Sequence, residues 1–387
     1  MKKIIAVAIA ALPMAAMAEV QIYGQFEGAV EAGNTFGYGD VFNTNTRVDD
    51  TGSKIGFKGT EDLGNGLKAI WQVEQALSID GDQYDKNGDL NNSNGNNKWA
   101  SRDTFIGLQG DWGKVRLGRL STFQNDSMER FDPWTYGKGV NGMSYTSANT
   151  LDGRINNAVR YDTPNLNGFK ASVLYGTDEV RENKAGSTSR RNASVWNIGA
   201  GYEYAGYFVD AGYTHQGDAN LAGDKSANYW RLEGGYEANN LLVALAYGQS
   251  KTFAGYEDAG LSSGLVAPTG VGFESIPAGA VGAVGQNDAM KAKELALTVA
   301  YTIGNFTPRF SYARIFDIRV QNYATGATND YANNSIDQFV LGVDYALSKR
   351  TMAYASYGYV NHDATFKKGT DTESSENTFA LGLVHKF

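Results

Sequence analysis

The sequence predicts an all-β chain closed into a sixteen-stranded antiparallel transmembrane β-barrel. Three observations lead there. The N-terminus carries an export leader, the remainder falls into segments that alternate apolar and polar residues, and the connections between segments alternate between tight turns and long polar stretches. Alternation with two distinct faces is the signature of a strand between lipid and lumen, and unequal connections mark the two ends of a barrel that crosses a membrane.

The leader comes first. Met1, Lys2 and Lys3 precede an apolar stretch from Ile4 to Met17, which ends on the small-x-small triplet Ala16-Met17-Ala18. This reads as a signal peptide over residues 1–18, leaving 19–387 as the mature barrel. No later run is long and apolar enough for a transmembrane helix. The chain holds 47 Gly, 23 Tyr and 18 Phe but only 6 Pro and no Cys, so turns and aromatics are plentiful and no disulfide framework supports the fold. Losing Lys2 and Lys3 moves the net charge from −8 to −10. Such acidity argues against a nucleic-acid partner.

Strands follow in order. In the first, Val20, Ile22, Phe26 and Val30 share one parity and Gln21, Gln25 and Glu27 the other. The next two set Ile55 and Phe57 against Lys54 and Lys58, then Leu67, Trp71 and Val73 against Lys68, Gln72 and Glu74. Full charges on one face of a spanning strand must point into water, because a lysine or arginine facing mid-membrane lipid costs about 2–4 kcal/mol. Short turns at 61–66, 110–113, 165–168, 238–240 and 303–305 alternate with long connections at 32–47, 80–98, 120–152, 179–191, 217–225, 251–290, 317–333 and 362–375. Between them lie sixteen strands: 19–31, 48–61, 66–79, 99–110, 113–119, 153–163, 168–178, 192–204, 206–216, 226–238, 240–250, 292–303, 305–316, 335–347, 349–361 and 377–387. With Ile155, Val159 and Tyr161 outward, Arg154 and Arg160 point inward. The last strand places Phe379, Leu381, Leu383 and the terminal Phe387 on one face, and Phe387 is the expected insertion signal.

Blocks along the whole mature chain carry a resemblance: residues 19–24, the run from 52 to 75, Phe105-Ile106-Gly107-Leu108, Gly118-Arg119, Asp132-Pro133-Trp134, Val159-Arg160-Tyr161-Asp162, residues 307–313 and 348–351, and the closing His385-Lys386-Phe387. The chain resembles the general trimeric porins of Gram-negative outer membranes, and most closely their neisserial-type, betaproteobacterial branch. The resemblance implies a homotrimer whose third external loop, residues 120–152, folds inward and narrows the lumen. It implies that Asp126, Glu129 and Asp132 on this loop face a basic wall of Lys54, Arg102 and Arg154, with Lys58, Arg116 and Arg160 at the same inward parity. It further implies passive diffusion of ions and small hydrophilic solutes, with outer-membrane lipid, lipopolysaccharide and the barrel-assembly machinery as partners, and no cofactor. Cations on one wall and carboxylates on the other would set up a transverse field, strengthened by focusing in a narrow channel.

Other features point elsewhere with less force. His215, His362 and His385 lie far apart and read as surface or interfacial residues. Asp80, Asp82, Asp85, Asn87 and Asp89 alternate as Ca²⁺ ligands would, but lack the bidentate Glu of an EF-hand, so no metal site is expected. Residues 259–287, with Glu274 as the sole charge, read as a long external loop. The alternative function is a substrate-specific outer-membrane channel, which calls for aromatics stacked along the lumen. An enzyme barrel would need a nucleophile and a base presented together, and no histidine has such a context.

Overall fold

The computed structural model of the chain describes residues 19–34, 46–80, 99–134, 139–143, 151–179, 181, 183–253, 287–316, 319–330, 335–368 and 371–387. The expected leader 1–18, most of the 80–98 acidic stretch and nearly all of 259–287 therefore lie outside the described residues. The described part is one closed antiparallel β-barrel. Its strands are β1 (Glu19–Gly33), β2 (Thr46–Asp50 continued by Lys54–Gly64), β3 (Leu67–Ala76), β4 (Thr104–Gly110), β5 (Gly113–Ser121), β6 (Arg154–Asp162), β7 (Phe169–Gly176) and β8 (Val195–Tyr204). They continue as β9 (Tyr207–Gln216), β10 (Ala227–Ala238), β11 (Leu241–Phe253), β12 (Ala289–Tyr301), β13 (Phe306–Ile315 continued by Arg319–Gln321), β14 (Thr328–Asp330 continued by Ile336–Ala346), β15 (Thr351–Lys368) and β16 (Asp371–Lys386). Nineteen paired segments thus make sixteen strands, because three strands are each interrupted once.

Every strand pairs with its sequence neighbour, and the ends meet. β1 is bonded to β2 from Glu19↔Thr60 to Ala32↔Thr46, and to β16 from Gln25↔Lys386 to Gly33↔Thr378. Closure leaves no edge, as a sheet in hydrocarbon requires. Among the described residues no helix is long and apolar enough to cross a membrane.

Exposure follows the predicted parity. Val20, Ile22, Phe26 and Val30 are exposed on the outside, whereas Glu27, Ala29 and Glu31 are buried within. Aromatic pairs collect near both strand ends, among them Tyr207–Tyr236 and Phe306–Tyr345 at the short-turn end and Tyr175–Trp196 and Trp230–Tyr247 towards the other. Such girdles mark the two membrane interfaces. The turn between β10 and β11 is two residues long, and Asn239 and Asn240 both take positive φ (53° and 64°), the backbone of a type I′ hairpin that asparagine tolerates.

The structure departs from expectation in two places. Residues 362–375, read as a loop, largely extend the final hairpin, with Lys368 paired to Asp371 after a register shift past Asn361. Outside the bilayer a hairpin needs no apolar face, so its strands carry no alternation to be read. Ile155 is not outward like Val159. It is buried at 4% exposure against Leu120, Leu174 and Val195, while Val159 is 44% exposed. The cause is local: the β5–β6 register shifts between Gly118 and Leu120, and Asn157 takes a left-handed φ of 51°. A bulge of this kind reverses the parity beyond it.

The closing strand ends in a double latch. Phe387 N donates to Gly24 O at 3.0 Å, Gly24 N donates to Phe387 O at 3.1 Å, and the Phe387 ring lies 5.4 Å from that of Phe26. Phe387→Ala keeps the backbone bonds and loses the ring, so about 1–2 kcal/mol of stability is expected to go. Urea unfolding in lipid or detergent reads this; an unchanged midpoint would contradict the latch.

Candidate constriction site

The connection after β5 turns inward at once. Ser121 N and Oγ donate to Asp103 (2.8 and 2.7 Å), and Thr122 caps a short helix, α1 (Phe123–Ser127), by accepting from Asn125 N at 3.2 Å. α1 buries Phe123 and Gln124 against the barrel wall and turns Asp126 towards the lumen.

From there the described parts of the loop follow the inner wall strand by strand. Phe123 N donates to Asn197 of β8 (2.8 Å), Gln124 Nε2 to Thr214 of β9 (3.3 Å) and Phe131 N to Glu233 of β10 (3.2 Å). Trp134 Nε1 donates to Ser311 of β13 at 2.8 Å, and Gln338 of β14 donates to Val140 O at 3.0 Å. The wall has room for this only where side chains are missing. A Cβ on Gly199 would lie 2.1 Å from the Phe123 ring, and one on Gly358 would lie 2.0 Å from Val140 O.

Three arginines fix the loop through its carbonyl oxygens. Arg160 Nη1 donates to Ser121 O (2.7 Å), Arg231 Nη2 to Gln124 O (2.7 Å) and to Met128 O, and Arg309 Nη1 to Pro133 O. Arg231 also pairs with Asp152 at 2.8 Å and lies over the Phe131 ring; Arg309 lies over the Trp134 ring. Guanidinium suits this role, offering several fixed donors together with a flat face for stacking.

With the loop against β8–β15, the space left open lies along β1–β5. A polar cavity of about 370 Å³ there is lined by Lys54, Lys58, Arg102 and Arg154 on the wall side and by Asn125, Asp126 and Glu129 on the loop side. Six of the named sequence candidates thus meet, Lys54, Lys58, Arg102, Arg154, Asp126 and Glu129, and Asp126 also reaches a deeper pair. That pair is Arg116 and Arg160. Arg160 reaches Asp126 at 3.1 Å and Asp162 at 2.7 Å, and Arg116 reaches Asp162 at 2.8 Å. At 6% and 1% exposure they brace the loop rather than line open water. Asp132 is not at the cavity. Its carboxylate accepts from Trp134 N at 3.0 Å and shapes the turn that carries the indole to the wall.

The basic wall is also interleaved with acid. Glu74 accepts from Arg102 Nε at 2.5 Å and from the Tyr23 hydroxyl at 3.0 Å, with Lys54 Nζ 3.9 Å away. Asp103 pairs with Arg154 at 3.0 Å. Sequence reasoning set Glu74 on the inward face but gave it no partner, and passed over Asp103, Arg231 and Arg309; charged residues at inward parity were the signal available. Glu129 opens to the lumen, yet the barrel closes round it on most sides. The protein packed round that opening, with Asp152 and Asp132 nearby, pushes its carboxyl above the usual glutamate range.

Comparison with known proteins accords with this geometry. The profile of the Gram-negative porin family matches residues 6–365. Major outer membrane protein P.IB of Neisseria meningitidis serogroup A is 34% identical over 396 residues, spanning 100% of this chain and 99% of its own, and its counterpart in Neisseria gonorrhoeae is 32% identical over 415. Among solved structures, the anion-selective porin of Comamonas acidovorans has a similar fold, with a TM-score of 0.64, 20% identity, and coverage of 96% of this chain and 100% of its own. OmpT of Vibrio cholerae in its trimer form follows at 0.60 and 15%, covering 96% and 99%.

Arg231→Met removes the donors that hold two carbonyls and leaves Asp152 without its buried partner. A loss of about 3–5 kcal/mol is expected from breaking a buried pair. Limited proteolysis should cut the loop between 122 and 143 while the barrel stays intact; a loop as resistant as the wild type's would remove Arg231 from the anchor.

Proposed function

Since the chain belongs to the Gram-negative porin family, and so forms a porin channel for small hydrophilic solutes in the outer membrane, we propose that the cleft between α1 and β1–β5 is its constriction. The observation that carries this is the cavity lined by Lys54, Lys58, Arg102 and Arg154 across from Asp126 and Glu129. Solutes pass between opposed charges, and the field across the gap favours those that can exchange water for oriented dipoles. Passage needs no chemical step and no cofactor. The chain's single G-x-S-x-G spacing, at 260–264, lies outside the described residues in a Gly- and Ala-rich connection with no histidine. A catalytic reading has nothing to support it there.

The reading extends to assembly. The chain acts as a homotrimer among lipid and lipopolysaccharide, exported by its leader 1–18 and inserted by the assembly machinery through the strand ending in Phe387. A substrate-specific channel would line its path with aromatics. Here Phe123, Phe131 and Trp134 are buried beneath the loop, and Tyr23 is the one aromatic side chain bordering the constriction cavity among the described residues.

Local charge sets the selectivity. Four cations face Glu74, Asp103 and Asp126, while Glu129, whose carboxyl is shifted upward, takes on its negative charge at higher pH than an ordinary glutamate. Planar-bilayer recording should therefore show large, ohmic, three-step conductance with a weak anion preference at pH 6. That preference should fall as the pH rises and Glu129 ionises. Glu129→Gln should flatten the pH response, and Lys54→Gln with Arg102→Gln should turn the pore towards cations. A protein that never conducts would sink the channel itself; unchanged reversal potentials in the variants would remove these residues from the constriction.

A further inference from the structure

The outer face of the barrel carries a cluster of cations that the pore does not use. On β11, Leu245, Tyr247, Gln249 and Lys251 share the outward parity: Leu245 is 51% exposed, while the intervening Ala244 and Ala246 are fully buried. Lys251 is paired in register with Lys291 of β12, and Lys291 with Arg319 of β13. Lys293, one outward position below Lys291, is opposite Gln249 and exposed. Four cations therefore occupy neighbouring outward positions on three adjacent strands, at the end that bears the long connections.

Their depth matters. On the same face Trp230 stands level with Lys293 across Gln249 and packs on Tyr247 one outward position lower, with ring centroids 5.6 Å apart; Leu295 is level with Tyr247, and Leu297 and Val299 follow below. The cluster thus stands just above the external aromatic girdle, level with lipid headgroups. Like charges directly opposite on a sheet repel. Among the described residues no carboxylate lies within ion-pair distance of Lys251, Lys291 or Lys293, and Asp337, two strands away, is held by Arg314 at 3.0 Å and by Tyr312 at 2.5 Å. The Lys251 ammonium also rests 5.3 Å from the Phe253 ring centroid, a cation–π contact.

We propose that Lys251, Lys291 and Lys293, beside Arg319, form a docking site for the phosphate groups of an outer-leaflet glycolipid. Phosphate monoesters carry close to two negative charges and several strong acceptors, which matches a compact cluster of ammonium donors. The acyl chains would then lie along Leu245, Leu297 and Val299, and the sugar against Trp230 and Tyr247. Basic clusters at headgroup depth bind anionic lipid by the same logic. The site rests on the outer-membrane location alone and is independent of the constriction.

The test uses full-length protein in detergent, titrated with diphosphoryl lipid A, with the same lipid after removal of its phosphates, and with inorganic phosphate. Bound copies are counted by native mass spectrometry. The wild type is expected to hold the phosphorylated lipid at least tenfold tighter than the dephosphorylated one, with inorganic phosphate failing to displace it. Lys251→Gln/Lys291→Gln/Lys293→Gln should abolish that preference yet keep wild-type single-channel conductance, which also reports folding. Lys293→Gln alone, which leaves the Lys251–Lys291 row intact, should lose several-fold. A retained preference in the triple variant, equal binding of the two lipids, or displacement by inorganic phosphate would each overturn the proposal.

Discussion

A polypeptide that crosses hydrocarbon must pair every backbone N–H and C=O within itself, and each unpaired group costs several kcal/mol. In this chain the requirement is met by β1 bonding to β16 across nine residue pairs, and much of the rest follows from that closure. Sixteen tilted strands enclose more space than their own side chains fill. The interior is therefore wet, and inward positions can carry full charges that would be intolerable on the other face.

Within that wide lumen one connection runs along the inner wall, held by buried guanidinium groups, and it is the proposed constriction. Arg160, Arg231 and Arg309 donate to carbonyls spaced along the loop, so the backbone, which has no sheet partner there, finds its acceptors satisfied by the wall. Glycines at 199 and 358 let the loop approach the sheet closely. The anchoring is one-sided. It draws the loop onto β8–β15 and leaves β1–β5 open, which is why the charges bordering the open lumen gather on Lys54, Lys58 and Arg102, with the buried Glu74 paired behind them.

The barrel was legible because period-two alternation and unequal turn lengths are local signals, and each strand repeats them. Sixteen strands could be counted from residues alone, and Lys54 and Lys58 were placed inward by parity. Parity failed where the register slips: Ile155 changes face because of the bulge at Gly118 and Asn157, which no alternation reveals. The final hairpin went unread as strand because outside the bilayer nothing selects for two unlike faces. In the site, residue types and inward direction were legible, but pairing was not. Whether Arg160 lines water or grips Ser121 O depends on the path of the loop, a contact between positions far apart in sequence. Asp132 shows the same limit, since its role follows from a hydrogen bond to Trp134 N and not from its charge. The resemblance to neisserial-type porins supplied the inward fold of the loop; the residues that hold it there became visible only in three dimensions.

The central claim is that solutes pass between α1 and the β1–β5 wall. Asn125 borders that gap, and the chain has no cysteine, so Asn125→Cys introduces a single thiol at the proposed narrowing. Single-channel current is recorded while a bulky cationic methanethiosulfonate reagent is added, with Leu245→Cys on the lipid-facing side as the comparison. The account predicts a stepwise fall in conductance for Asn125→Cys alone. Full labelling at Asn125→Cys, verified by mass, with no change in current would contradict it.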